Sequence, residues 1–117
     1  MSNRVARVNA LIYRVISEVL HRNYRSDSVR ITISDVSTAS DLRTARIYYS
    51  VLGEQSAIDQ AAAFFRRRGS EIQQAVRKEV ILKYFPRFEY CYDPSMHRGA
   101  EIIDLLDALE ADESHDG

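Results

Sequence analysis

The sequence predicts a two-layer α+β domain whose elements follow the order helix, strand, strand, helix, helix, strand. Two observations support this fold class. Apolar residues recur at three- and four-residue spacing in three segments, and they alternate with polar residues in three others. A chain of 117 residues with 45% hydrophobic side chains can bury one core. We therefore expect one domain, in which a three-stranded sheet carries its helices on one face.

The first element is a helix predicted over residues 4–20, and its outer face is mostly basic. Many of its apolar residues are β-branched, which lowers the intrinsic helix propensity. We therefore expect its stability to come from docking on the sheet. The apolar stripe consists of Val5, Val8, Ile12, Val15, Ile16 and Val19.

Three segments with a period of two predict the strands. The first two flank the turn-forming segment "STASDL", and this short connection predicts an antiparallel pair. The third follows Pro86, which stops the preceding helix. The inward positions are Val29, Ile31 and Ile33 in the first strand, Ala45, Ile47, Tyr49 and Val51 in the second, and Phe88, Tyr90 and Tyr92 in the third.

Two helical segments meet at Gly69 and Ser70, directly after three consecutive arginines. Glycine inside a helix costs about 1 kcal/mol relative to alanine, so we expect a kink between the second and third helices here. Ser56 is expected to cap the second helix. The apolar stripes are Ile58, Ala61, Ala62 and Phe65 before the glycine, and Ile72, Ala75, Val76 and Val80 after it.

Charge is distributed unevenly along the chain. Residues 1–98 contain all 16 Lys and Arg but only 10 Asp and Glu, a net charge of +6, whereas residues 99–117 contain the other 7 acids. We therefore expect a basic domain over residues 1–98, suited to a polyanionic partner. Residues 99–117 form an acidic tail, in which a short helix over 102–109 is expected to precede disordered residues.

Several classes of protein are disfavoured. No apolar segment reaches the roughly 18 to 20 residues that cross a bilayer, and the N-terminus lacks a secretion signal, so we expect a cytoplasmic protein with no membrane partner. The single Cys91 cannot form an internal disulfide. The sequence contains no paired carboxylates, phosphate-binding loop or metal-ligand spacing, so we expect no cofactor, no metal and no enzymatic activity.

Three segments together resemble one known family. "RVARVNALIYRVISEVL" is similar to its first helix, and "VRITISDVSTASDLRTARIYYSVLG" to its first two strands, with Ser40, Asp41 and Leu42 in the turn. "KYFPRFEYCYDPSMHRG" is similar to its third strand. Over residues 4–109 the chain thus resembles the ribosome-binding factor A family, which has a KH fold of the second, bacterial type.

The resemblance implies a protein that binds the 16S rRNA of the immature small (30S) ribosomal subunit and assists its late maturation. It also implies release that is helped by assembly GTPases, and we expect a monomer. The family carries Ala-x-Gly at the junction of its second and third helices. In this chain the triplet falls on Arg68-Gly69-Ser70, with the glycine in the middle place.

The same junction is the predicted RNA-binding site. In a KH-type arrangement it directs backbone N–H groups toward the nucleic-acid backbone, and a glycine there allows close approach. Successive helical residues lie about 100° apart, so three adjacent arginines cannot all face one ligand. The predicted RNA-binding residues are Arg66, Arg67, Arg68, Gly69, Ser70, Arg77 and Lys78, extended by Arg4 and Arg7 on the first helix.

Two other functions remain open from the residues alone. The domain could be a general single-stranded RNA-binding KH module that is not dedicated to ribosomes. Alternatively, it could be an interaction domain whose 102–109 helix recruits a protein partner. A further hypothesis, based only on the uneven charge, is that the acidic tail folds back on the basic body and competes with RNA.

Overall fold

The computed structural model describes residues 3–95, which form two helices and three strands. The elements are α1 (Asn3–Asn23), β1 (Ile31–Thr38), β2 (Thr44–Val51), α2 (Gln55–Glu79) and β3 (Arg87–Tyr92). The predicted α+β class and the order of elements are confirmed, except that the predicted second and third helices are one helix. The acidic tail, its predicted helix at 102–109 and the predicted domain boundary after residue 98 lie outside the described residues.

Helix α1 packs one apolar face on the sheet and leaves its arginines exposed. Ile12, Ile16 and Val19 on that face are each 0% exposed. The Asn9 side chain accepts a hydrogen bond from the backbone N–H of Thr38 at 2.8 Å, which fixes α1 against the end of β1. Docking on the sheet therefore accounts for a helix that is rich in β-branched residues.

The sheet has the strand order β1-β2-β3. Strands β1 and β2 are antiparallel, as predicted, whereas β2 and β3 are parallel and are connected through α2. The register shifts between Ile33 and Asp35, which marks a β-bulge at Ser34. The extra residue shifts the alternation of side chains by one position, so Ile33 and Val36 both point inward and are buried although they are three residues apart.

The first strand begins later than predicted. Val29 lies in the turn between α1 and β1 and is 77% exposed, so its predicted inward position is wrong. The backbone N–H of Ile31 donates to the carbonyl of Ser28 at 3.0 Å and closes this turn. The Ser28 hydroxyl, in turn, donates to the Leu20 carbonyl near the end of α1 at 3.0 Å. The turn therefore anchors Ser28 in the interior and leaves Val29 outside.

Helix α2 contains 25 residues and continues through Gly69, so the predicted division into two separate helices is wrong. The apolar stripes before and after the glycine are in phase, because Phe65, Gly69 and Ile72 follow at four- and three-residue spacing on one buried face. The helix also begins before Ser56, with Glu54 at the N-cap position and no side-chain cap. No helix in residues 3–95 combines the length and apolar content needed to cross a bilayer.

Candidate nucleic-acid interface

The three consecutive arginines of α2 point in different directions. The Arg68 guanidinium donates to Oε1 of Glu71, three residues further along the same helix, at 3.1 Å. Glu71 also accepts a hydrogen bond from the Tyr24 hydroxyl at 3.1 Å. The positive charge of Arg68 is therefore already matched by a neighbouring carboxylate. Arg66 and Arg67 are exposed and have no such partner within residues 3–95.

Gly69 is buried and faces the sheet. A Cβ atom at this position would lie 2.7 Å from Tyr90 Cε2, and the Tyr90 hydroxyl donates to the Gly69 carbonyl at 2.7 Å. The Tyr90 ring is held in place by stacking on Phe65, with 4.6 Å between the ring centroids. The missing side chain thus admits an aromatic ring, and the predicted exposed junction with free backbone N–H groups is not formed. The predicted role of Gly69 in approaching phosphate has no structural basis here.

Among the exposed residues of α2 are four cations that lie near one side of the helix, and we call them, together with Ser70, the α2 outer face. Arg66 and Arg77 are eleven residues apart, as are Arg67 and Lys78, so each pair lies within about 20° of one line along the helix and about 16 Å apart. None of the four forms an ion pair within the described part of the chain. The α2 outer face consists of Arg66, Arg67, Ser70, Arg77 and Lys78, all exposed.

An apolar hollow adjoins one end of the α2 outer face. It has a volume of about 290 Å³ and is lined by Tyr49, Ala62, Phe65, Arg66 and Tyr90. Burial raises the pKa of Tyr49, and the positive charge of Arg66 partly opposes this rise. The predicted inward position of Tyr49 is confirmed by its 3% exposure. A cation thus borders an apolar depression at this end.

The predicted residues of α1 lie apart from the α2 outer face. Arg4 lines a small hollow together with Leu42 and Lys83, and Lys83 follows Lys78 by five residues. Arg7 is exposed on α1, one turn further along. The structure therefore places Arg4 beside the segment that leaves the C-terminal end of α2. It does not bring Arg4 or Arg7 into contact with the arginine triplet.

Two residues that sequence reasoning missed organise this region. Glu71 neutralises Arg68, a pairing that its i,i+3 spacing could have indicated. Gln73 accepts a hydrogen bond from the backbone N–H of Phe88 at 2.9 Å and so attaches β3 to α2. No signal in the sequence identifies this second contact, because the two residues come from different elements. Within residues 3–95 no cluster of His, Cys, Asp and Glu has the arrangement of a metal site.

This fold, a three-stranded sheet covered on one face by α1 and a long basic α2, defines a KH-like α+β domain. The family model described as "Ribosome-binding factor A" matches residues 4–106. The chain belongs to the ribosome-binding factor A family. Among curated relatives, ribosome-binding factor A from Opitutus terrae is 39% identical over 94% of this chain and 90% of its own length. The protein of the same name from Prochlorococcus marinus is 33% identical over 93% of this chain and 91% of its own length.

Two solved structures and one fitted homology model have the same fold. The crystal structure of ribosome-binding factor A from Thermus thermophilus aligns with a TM-score of 0.66 at 18% identity, covering 75% of this chain and 94% of that one. The solution structure of a putative ribosome-binding factor A from Thermotoga maritima aligns with a TM-score of 0.65 at 23% identity, covering 77% of this chain and 87% of that one. A homology model of the Thermus thermophilus protein, fitted into a cryo-electron-microscopy map of its complex with 30S, aligns at 0.60 with 18% identity, covering 74% and 91%.

Proposed function

We propose that this protein is a non-enzymatic assembly factor that binds the 16S rRNA of the immature 30S subunit through the α2 outer face. The observation that carries the proposal is the set of four cations on that face without an ion pair in residues 3–95. Unpaired arginines and lysines in a line suit a phosphate backbone, because binding releases the counterions condensed on the nucleic acid. Membership of the family and the 30S complex described for a structural neighbour support the ribosome as the place of binding.

The proposal differs from the site predicted from sequence. Arg66, Arg67, Arg77 and Lys78 contact phosphates, and Ser70 lies between them without a bulky side chain. Arg68 contributes less, since Glu71 already neutralises it, and Gly69 acts through packing. Arg4 and Arg7 extend the basic surface on the side of α1. The finer points of the proposal are late maturation, a monomer in the cytoplasm and release helped by assembly GTPases, and they rest on the family resemblance.

Adjacent arginines of α2 provide a matched pair of variants for the test. Arg67→Ala and Arg68→Ala remove the same side chain from exposed positions of the same helix, so their effects on folding should differ by no more than about 0.5 kcal/mol, the value of the exposed ion pair of Arg68. Binding to purified immature small subunits is measured by co-sedimentation at salt concentrations from low to well above physiological. We expect Arg67→Ala to weaken binding and to reduce the slope of log K against log salt by about 0.7 to 0.9, the value for one phosphate contact. Arg68→Ala should change the slope less.

Two outcomes would count against the proposal. If both variants bind like the unchanged protein, and changing all four cations to alanine also leaves the salt slope unchanged, the α2 outer face does not bind RNA. A parallel measurement with unstructured RNA of random sequence tests for a general RNA-binding module. Equal affinity for that RNA and for small subunits at the same salt concentration would favour the general function over the ribosomal one.

A further inference from the structure

The chain leaves the described residues beside the α2 outer face. Strand β3 ends at Tyr92, whose ring centroid lies 6.0 Å from that of Tyr49. The backbone N–H of Asp93 donates to the Tyr49 carbonyl at 2.7 Å. Tyr49 lines the apolar hollow together with Arg66. The Asp93 side chain accepts a hydrogen bond from Ser34 of β1 at 3.0 Å, so the 22 residues after Ser95 start close to the strand residue whose ring shares this hollow with Arg66.

Those following residues have the opposite charge. Residues 99–117 contain seven acidic side chains and no Lys or Arg, whereas four cations of the α2 outer face lack an ion pair in residues 3–95. A short tether gives the two groups an effective concentration in the millimolar range, so even weak attraction populates a contact. The hollow that borders Arg66 can hold an apolar side chain, and apolar residues recur beside the acids within the tail. They are Ile102, Leu105, Leu106 and Leu109.

The length of the tail is sufficient for this contact. From Arg66 to Lys78 the helix rises about 18 Å at 1.5 Å per residue. A chain of 22 residues spans at most about 73 Å, at about 3.3 Å per residue. The tail can therefore cover the whole α2 outer face without being fully extended.

We propose that residues 99–117 dock on the α2 outer face of the same chain, with their acidic side chains on its cations and their apolar residues in the hollow beside Arg66. RNA then has to displace the tail, so the tail raises the threshold for binding and disfavours weak, non-specific RNA. The docking itself is inferred only from where the chain leaves β3 and from the opposite charges of the tail and the α2 outer face. The competition with RNA rests on the proposed function above.

Docking can be measured in the full chain without RNA. Cys91→Ser with Ser114→Cys leaves one thiol, in the tail, for a nitroxide label. In the ¹⁵N-labelled protein at low salt we expect the amide resonances of residues 62–78 that face the solvent to broaden, and this broadening to disappear at high salt. Broadening confined to another surface, or none at low salt, would overturn the proposal. A second sample tests whether the tail docks on its own chain or on a neighbouring one. It mixes chains that carry the nitroxide but no ¹⁵N with chains that carry ¹⁵N but no nitroxide. Broadening in this mixture would show docking between chains and would also overturn the proposal.

Two full-length control variants test the parts of the contact. In the first, all seven tail acids are replaced by the corresponding amides, and the broadening should vanish. In the second, the order of residues 100–113 is permuted so that acids and apolar residues are no longer interspersed, at unchanged composition. Weaker broadening than in the natural order supports apolar docking in the hollow. Equal broadening would overturn that half of the proposal, since charge alone would then suffice.

Binding to immature small subunits and to random-sequence RNA then separates this inference from the proposed function. At low salt the amide tail variant should bind random-sequence RNA about tenfold more tightly than the natural chain, and this advantage should shrink as salt rises. If the tail docks but neither chain binds any RNA, the proposed function fails and docking stands. If both chains bind RNA equally and no broadening occurs, docking fails and the proposed function stands.

Discussion

At the scale of single residues, the contact between Gly69 and Tyr90 determines how α2 sits on the sheet. The glycine lets the Tyr90 ring approach the helix backbone, and the ring hydroxyl donates to the Gly69 carbonyl at 2.7 Å. That carbonyl can accept this bond in addition to its helical one, since a carbonyl oxygen has two lone pairs. This bond joins α2 to the edge strand β3, in addition to the bond between Gln73 and Phe88.

Gly69→Ala tests this account directly. In an exposed helix the change would stabilise the protein by about 1 kcal/mol. Here the new Cβ would lie 2.7 Å from the Tyr90 ring, which is stacked on Phe65 and cannot move freely. Overpacking of this kind costs about 1 to 3 kcal/mol, so we expect a net loss of up to about 2 kcal/mol in urea unfolding. In a Tyr90→Leu background the same change should be neutral or stabilising; a stabilising effect in the natural background would contradict the packing.

Tyr90→Phe should show a dependence on pH. Burial raises the pKa of Tyr90 well above its usual value of 10.0, because the ionised ring is disfavoured in the folded protein. The resulting stabilisation is complete below about pH 10 and is lost as the pH rises toward the folded pKa. At neutral pH the variant should lose about 1 kcal/mol with the hydrogen bond to Gly69. As the pH passes about 10, the natural protein should lose stability more steeply than the variant, by up to about 1.4 kcal/mol per pH unit.

Chemical unfolding of both proteins at several pH values measures the difference. Tyr13→Phe is the matched control, since Tyr13 is 42% exposed. The difference in the free energy of unfolding between the natural protein and Tyr90→Phe should change at alkaline pH. If this difference stays constant from neutral to strongly alkaline pH, Tyr90 titrates normally in the fold.

At the scale of elements, periodicity located α1 and the three strands and marked the region of α2, although it divided α2 in two and began β1 too early. The buried face of a helix or strand dictates the spacing of its apolar residues, and this spacing can be recognised within a short segment of sequence. The division of α2 at Gly69 was wrong because helix propensity is also local, whereas the reason for the glycine is the Tyr90 ring, 21 residues further along. The bulge at Ser34 and the parallel pairing of β3 likewise depend on partners that are distant in sequence.

The candidate site likewise has features that local spacing predicts and features that depend on residues distant in sequence. The positions of Arg66, Arg67, Arg77 and Lys78 on the exposed side of α2 follow from helical spacing relative to the buried stripe. Which arginine is neutralised depends on side-chain geometry, although the i,i+3 spacing of Arg68 and Glu71 offered a local indication. The hollow beside Arg66 could not be predicted, since residues of β2, α2 and β3 line it together.

At the scale of the whole molecule, the small net charge of −1 conceals two regions of opposite sign. A basic domain attracts RNA through its total charge at long range and through individual ion contacts at short range, and these contributions can be separated. Glu71→Gln and Glu18→Gln change the net charge by the same amount, and both residues lie on helices. Only the first releases Arg68 next to the α2 outer face.

We therefore expect Glu71→Gln to tighten binding to immature small subunits and to increase the salt slope by about 0.7 to 0.9, since Arg68 becomes available for one more phosphate contact. The loss of the exposed ion pair should lower stability by no more than about 0.5 kcal/mol, and glutamine can still accept the hydrogen bond from Tyr24. Glu18→Gln should leave the slope unchanged. Equal slopes for the two variants in co-sedimentation would show that net charge, rather than the α2 outer face, governs binding, because only a local contact depends on where the charge is changed.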